Sequence, residues 1–157
     1  MSKYAGREKR MNPSTMEYAH EFMQVYDLRS KEARREFDLT QTAFDIVLFL
    51  ANNPQYHTAR DIVEVRRLKA NLVSVNVDKL VSEGYLVREP IPGDRRKVAL
   101  ALTEKAGPVV ERGRAFQKAF FDELAEGVCE EDRACFFRIL EQVKINMDKI
   151  LEGAKGK

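Results

Sequence analysis

The stretch LVREPIPGDRRKVALALT, residues 86–103, decides how the chain is read. Val98, Leu100 and Leu102 alternate with Lys97, Ala99 and Ala101, the period-two pattern of a half-buried strand. Pro90, Pro92 and Gly93 punctuate the run before it, so the segment reads as strand, tight turn, strand. The turn ends in Arg95, Arg96 and Lys97, with only Asp94 beside them. Adjacent arginines at a hairpin tip call for an anion.

The residues upstream supply a context for that anion. HTARDIVEV (57–65) opens a helix, with Thr58 as its cap and Asp61 at the capping-box position. After a short break at RRLK (66–69) comes ANLVSVNVDKLVSEGYL (70–86). On a helical wheel Ala70, Val73, Val77, Leu80 and Val81 share one side, and Asn71, Leu72, Val75 and Lys79 the other. Gly84 is a helix terminator, because glycine adopts the left-handed conformation at little cost. The valines make a strand the rival reading; the helix, turn, helix context of 58–84 favours the helix.

Outside this middle third the pattern is helical. Asn12 and Pro13 start a helix in which Ala19, Phe22, Met23 and Tyr26 recur at helical spacing, and the charged run RSKEARREFD (29–38) separates it from the next. There Thr40 is the cap, Phe44, Val47, Leu48 and Ala51 form a buried stripe, and Asn52, Asn53 and Pro54 a stop. Beyond the hairpin, Thr103 caps a helix through Phe116, Ala119 and Phe120 that Pro108 should bend or delay. A last helix carries Phe136, Leu140, Val143, Met147 and Ile150 at spacings of four and three.

Composition narrows the function. The 157 residues carry 27 basic and 25 acidic side chains, a net charge of +2, which excludes a uniformly basic coat. The excess sits between residues 58 and 105, with 10 basic against 7 acidic residues. The longest apolar run, IVLFLA (46–51), is too short to span a membrane, and no apolar signal segment follows the basic amino terminus. Cys129 and Cys135 do not make a disulfide framework, and read as small buried side chains in a reduced, cytoplasmic protein without a membrane partner. His20 and His57 read as a helix-surface and a loop residue, too few for zinc. No phosphate loop, nucleophile elbow or paired catalytic carboxylates appear, so neither an enzyme nor a cofactor is expected.

A helix pair of this kind can lay the outward side of its second helix in a DNA major groove. The hairpin then lies beside the duplex, where Arg95 and Arg96 can reach phosphates or the negative potential of a narrow minor groove, with Asp94 holding a guanidinium in one orientation. The other reading uses the outward Leu72 and Val75 in a protein interface, making the chain a winged-helix adaptor without DNA binding.

LTQTAFDIVLFLANNP, TARDIVEV, LVSVNVDKLVSEGYLVRE and GDRRKVALALTEKA resemble the winged helix-turn-helix of the multiple-antibiotic-resistance-regulator (MarR) family over residues 39–105. The resemblance implies a mostly α fold with a two-stranded wing, flanked by dimerisation helices at 12–38 and 106–157. It implies a homodimeric transcriptional regulator, here read as a repressor, on a pseudo-palindromic operator in double-stranded DNA. Lys69, Asn71, Leu72, Ser74, Val75 and Lys79 fall on or beside its groove-facing helix, and Asp94, Arg95 and Arg96 in its wing. Such proteins often take a small aromatic or amphipathic effector between the dimerisation helices and the DNA-binding lobe, for which Met23, Phe44, Phe116 and Phe120 are candidates. Two positions depart from the family pattern: Arg67 stands where many members carry glycine, and Val75 where arginine is frequent.

Overall fold

Seven of the twelve residues of the helix Gln41–Asn52 are buried, Phe44, Ile46, Val47 and Leu48 almost completely. A helix apolar on nearly every side has to be covered on every side, which makes this one the strut of the fold. The computed structural model describes residues 14–91 and 93–155. In chain order its helices are α1 (Ser14–Arg35), α2 (Gln41–Asn52), α3 (Ala59–Arg66), α4 (Ala70–Ser82), α5 (Gly107–Leu124) and α6 (Glu130–Lys155); the strands β1 (Leu86–Ile91) and β2 (Asp94–Leu102) lie between α4 and α5. Among the described residues the architecture is mostly helical with one antiparallel pair of strands, a winged helix-turn-helix. The chain divides into two compact units, Met1–Lys118 and Ala119–Lys157. No helix among the described residues is long and apolar enough to cross a membrane.

In the first unit, α1, α4 and β2 pack on α2. Thr40 caps α2 as expected, accepting the Ala43 N–H at 3.1 Å. The expected stripe is too narrow: Ala51 is only half-buried, whereas Ile46, Phe49 and Leu50 join the core. The expected boundary of α1 is also corrected, since the charged run does not interrupt it and the helix continues to Arg35. Ser30 and Ala33, small residues three apart, are its buried positions there. Asn12 and Pro13 lie outside the described residues.

The capping box of α3 forms: Asp61 N–H donates to the Thr58 hydroxyl, and the Asp61 carboxylate accepts the Thr58 amide at 2.8 Å. Burial works to raise the Asp61 carboxyl, but bonding from Thr58 and His57 outweighs it and holds the group below its ordinary value. The helix stops at Arg67, which takes the left-handed conformation (φ 55°, ψ 35°). That geometry is the reason glycine suits the position, and a side chain there costs roughly 1–2 kcal/mol. Gly84 (φ 80°) ends α4 as expected.

The hairpin differs in detail from its sequence reading. Leu86 faces Leu102, Val87 faces Ala101 and Arg88 faces Leu100 in a regular ladder up to Pro90 and Val98. The next pair is Ile91 and Asp94, a register shift that sets residues 95–97 between two paired positions of β2. Arg95, Arg96 and Lys97 therefore belong to an irregular part of β2 and not to the turn tip. Of the alternating residues only Leu100 is buried; Val98 is exposed and Leu102 half-buried. The Leu100 N–H donates to the His57 carbonyl at 2.7 Å, which ties the wing to the segment before α3.

Thr103 does not cap a long helix. It precedes a short 3-10 turn, Glu104–Ala106, and its hydroxyl donates to the Gly84 carbonyl at 2.6 Å, pinning the hairpin to the end of α4. The α-helix α5 starts late, with Pro108 as its second residue, where a missing N–H is not needed. In the second unit, Gly127 (φ 77°) turns the chain, and Arg133 donates to the carbonyls of Ala125 (2.7 Å) and Val128 (2.9 Å) to fix that turn. Phe121 and Phe137 meet edge to face at 6.5 Å. Phe136, Leu140, Val143, Met147 and Ile150 of α6 are all exposed. The cysteines correct an expectation, for Cys129 is exposed and precedes α6, and Cys135 is half-exposed.

One close approach is unforgiving. A Cβ on Gly113 of α5 would lie 2.3 Å from Leu48 Cδ2, and Leu48 is 2% exposed, with no room to swing away. Overpacking there costs about 1–3 kcal/mol, against a helix-propensity gain of about 1 kcal/mol for alanine. Gly113→Ala is expected to lower the urea midpoint at unchanged m; a rise would show that α5 does not approach α2 this closely.

Candidate nucleic-acid interface

The face of α4 is set by what it buries. Val73, Val77 and Leu80 enter the core, so Asn71, Leu72, Ser74 and Val75 point away from it, Val75 at 67% exposure and Leu72 at 40%. Ala70, expected on the inner side, is exposed at the first position of the helix, before the neighbouring turn covers it. One inner residue is polar. Asn76 is buried, its Nδ2 donates to the Leu72 carbonyl at 2.8 Å, and its Oδ1 accepts the Thr40 hydroxyl at 2.8 Å. The hydroxyl that caps α2 thus also fixes the rotation of α4, which the valine pattern alone did not disclose. Lys69 stands exposed at the N-cap, at the positive end of the helix dipole where a phosphate is favoured. Lys79 is half-exposed, its Nζ 3.6 Å from Glu83 Oε1.

The wing rises directly after α4. Its β2 backbone carries Asp94, Arg95 and Arg96 in the irregular stretch, and the side chains of these three lie outside the described residues. A pair that sequence reasoning missed joins wing to helix: Arg88 of β1 binds the Asp78 carboxylate of α4 through Nη2. Their spacing of ten, across a turn, matches no helix or strand period, so periodicity could not find it.

Residues 37–97 match a family model described as MarR family. The match spans α2 to the first residues of β2. Over 83–95% of its length the chain is similar in fold to solved MarR proteins. A MarR transcriptional regulator from Methanosarcina mazei Go1 is 16% identical, with a TM-score of 0.78 over 88% of this chain and 99% of that one. A MarR protein from Peptoclostridium difficile is 15% identical, with a TM-score of 0.75 over 95% and 96%. A mutant of MarR from E. coli complexed with operator DNA is 23% identical, with a TM-score of 0.67 over 83% and 94%. At these identities the likeness is one of fold. No curated protein sequence matches the chain.

Within the first unit, the candidate effector residues separate. Phe44 is fully buried and packs on Phe116, centroids 6.4 Å apart, and Phe116 meets the Tyr26 ring at 5.2 Å. Met23 is exposed on α1. Phe120, in the second unit, is buried. Beside the aromatic cluster sits a polar one. Gln41 Nε2 donates to Asp45 Oδ1 at 2.9 Å, Arg66 Nη2 lies 3.9 Å from Asp45 Oδ2, and Ser30 donates to Gln41 Oε1 at 2.6 Å. Burial raises the Asp45 carboxyl above its ordinary value, against the pull of Gln41, Arg66, Tyr26 and Arg34. Burial likewise raises the Tyr26 hydroxyl. His20 is exposed on α1, and no cluster among the described residues could hold a metal.

Because Thr40 and Asn76 share one hydrogen bond, Thr40→Val and Asn76→Ala should not add. A double-mutant cycle on unfolding free energy is expected to show a coupling of about 1 kcal/mol. Additivity within a few tenths would mean that the bond does not hold α4.

Proposed function

We propose that the chain is a sequence-specific DNA-binding transcriptional regulator, a repressor that acts as a homodimer on a pseudo-palindromic operator. The observation that carries this reading is the outward face of α4: four consecutive-turn side chains, Asn71, Leu72, Ser74 and Val75, held away from the core beside a hairpin that carries Arg95 and Arg96. The MarR-family match over 37–97 supports it, as does operator DNA bound to the E. coli relative in fold. Asn71 can make a bidentate contact with adenine, and Leu72 and Val75 offer only methyl groups. Lys69, Lys79, Arg95 and Arg96 supply charge, and Asp94 orients a wing arginine.

Dimerisation is proposed from α6, whose exposed Phe136, Leu140, Val143, Met147 and Ile150 form a stripe that a monomer leaves in water. The effector is proposed to be small and aromatic or amphipathic. Its candidate residues are Met23, exposed on α1, and the packed Phe44 and Phe116 in the first unit, and Phe120 in the second.

Selection of genomic DNA by the purified protein, followed by sequencing, tests the reading: a recurring operator with half-sites roughly 34 Å apart, or a multiple of that, is expected. Affinity should fall steeply with salt, whereas a protein adaptor using Leu72 and Val75 would respond weakly. Arg95→Ala with Arg96→Ala should weaken binding to every duplex and flatten the slope of log affinity against log salt; an unchanged slope excludes the wing contact. Leu140→Glu with Val143→Glu should give a monomer by sedimentation that no longer prefers two half-sites, and a variant that still sediments as a dimer excludes α6 as the interface.

A further inference from the structure

Asp78 occupies an unexpected place for an acid. It lies one turn beyond Ser74 and three residues beyond Val75, exposed on the outward side of α4. A duplex docked on that side would bring phosphates towards a carboxylate, a like-charge approach that weakens association. The carboxylate is not alone, because Arg88 reaches back from β1 to bind it through Nη2. The two side chains are 45% and 60% exposed, and an ion pair so wet stabilises a fold little.

Its geometry suits another task. A guanidinium carries five N–H donors in a rigid planar fork, and the bond from Nη2 to Asp78 restricts where that fork points. Arg88 lines one cleft of about 350 Å³ together with Ala70 and Ser74 of α4 and Arg60 of α3. A cation from the first wing strand therefore stands beside the outward face of α4. That helix has no arginine of its own, and its one lysine, Lys79, lies 3.6 Å from Glu83.

Resting on the reading of the chain as a DNA-binding regulator, we infer that Arg88 is a phosphate anchor held in one orientation by Asp78, which makes β1 and α4 a single docking surface. Asp78 is its positioning residue. An arginine whose direction is fixed in advance loses less freedom on binding and rewards only duplexes that seat α4 in register.

The test titrates wild type, Arg88→Ala and Asp78→Asn with the selected operator and with a random duplex, across a range of salt. Arg88→Ala should weaken the operator about tenfold and random DNA less, and reduce the magnitude of the operator's log–log salt slope by about 1.8, the value of one phosphate contact per protomer of the homodimer. Asp78→Asn removes an acid yet frees the guanidinium, so random DNA should bind tighter and the operator-to-random ratio should shrink. A pair that only fastens wing to helix would lower the melting temperature alike in both variants and leave the slope of the folded proteins unchanged. That result overturns the inference, as does a wild-type ratio in Asp78→Asn. Wild type that binds neither duplex would remove the regulator reading and this inference with it; wild type that binds, with an unaltered slope in Arg88→Ala, removes the inference alone.

Discussion

The burial of Val73, Val77 and Leu80 against α2 is the constraint from which the interface follows. Each core position on a helix fixes its neighbours by 100° steps, so three buried residues at this spacing leave Asn71, Leu72, Ser74 and Val75 no direction but outward. Burying an aliphatic side chain is worth about 1.5–3 kcal/mol, so rotating α4 to hide Val75 instead would expose more than it gained. The polar pin from Thr40 to Asn76 then selects one rotation among those the apolar residues tolerate, since a buried amide without its partners is costly.

Around that helix, several small devices hold the wing in one place. The Leu100 N–H bonds to the His57 carbonyl, and the Thr103 hydroxyl to the Gly84 carbonyl. Lys105 donates to the Glu83 carbonyl at 2.6 Å and lies over the Tyr85 ring. Both ends of the hairpin are thus tied to the helix pair, and the register irregularity after Pro90 is confined to the stretch that carries Arg95, Arg96 and Lys97. A ladder interrupted there leaves the basic residues free of the strict alternation that a regular strand would impose.

Much of this was legible in the sequence where one local rule was enough. The capping box at Thr58 and Asp61, the α2 cap at Thr40, the stop at Gly84 and the late start at Pro108 each depend on a few neighbouring residues. The misses share a different cause. The end of α1 was placed too early because its buried residues, Ser30 and Ala33, are small and carry no apolar signal. Asn76 and Arg88 were missed because their partners, Thr40 and Asp78, are 36 and 10 residues away, distances that no periodicity reports. The left-handed turn at Arg67 was not read from the sequence: the resemblance marked the position only as a departure from glycine, and arginine itself gives no hint of a positive φ.

The central claim is that the outward face of α4 reads DNA through methyl contacts, and operator thymines replaced one at a time by deoxyuridine test it most directly. The exchange removes the C5-methyl and leaves base pairing intact. The account predicts a several-fold loss of affinity at one or two positions per half-site for wild type, and hardly any for Val75→Ala or Leu72→Ala. Uracil tolerated at every position, or an indispensable G·C pair beneath this helix, would contradict it.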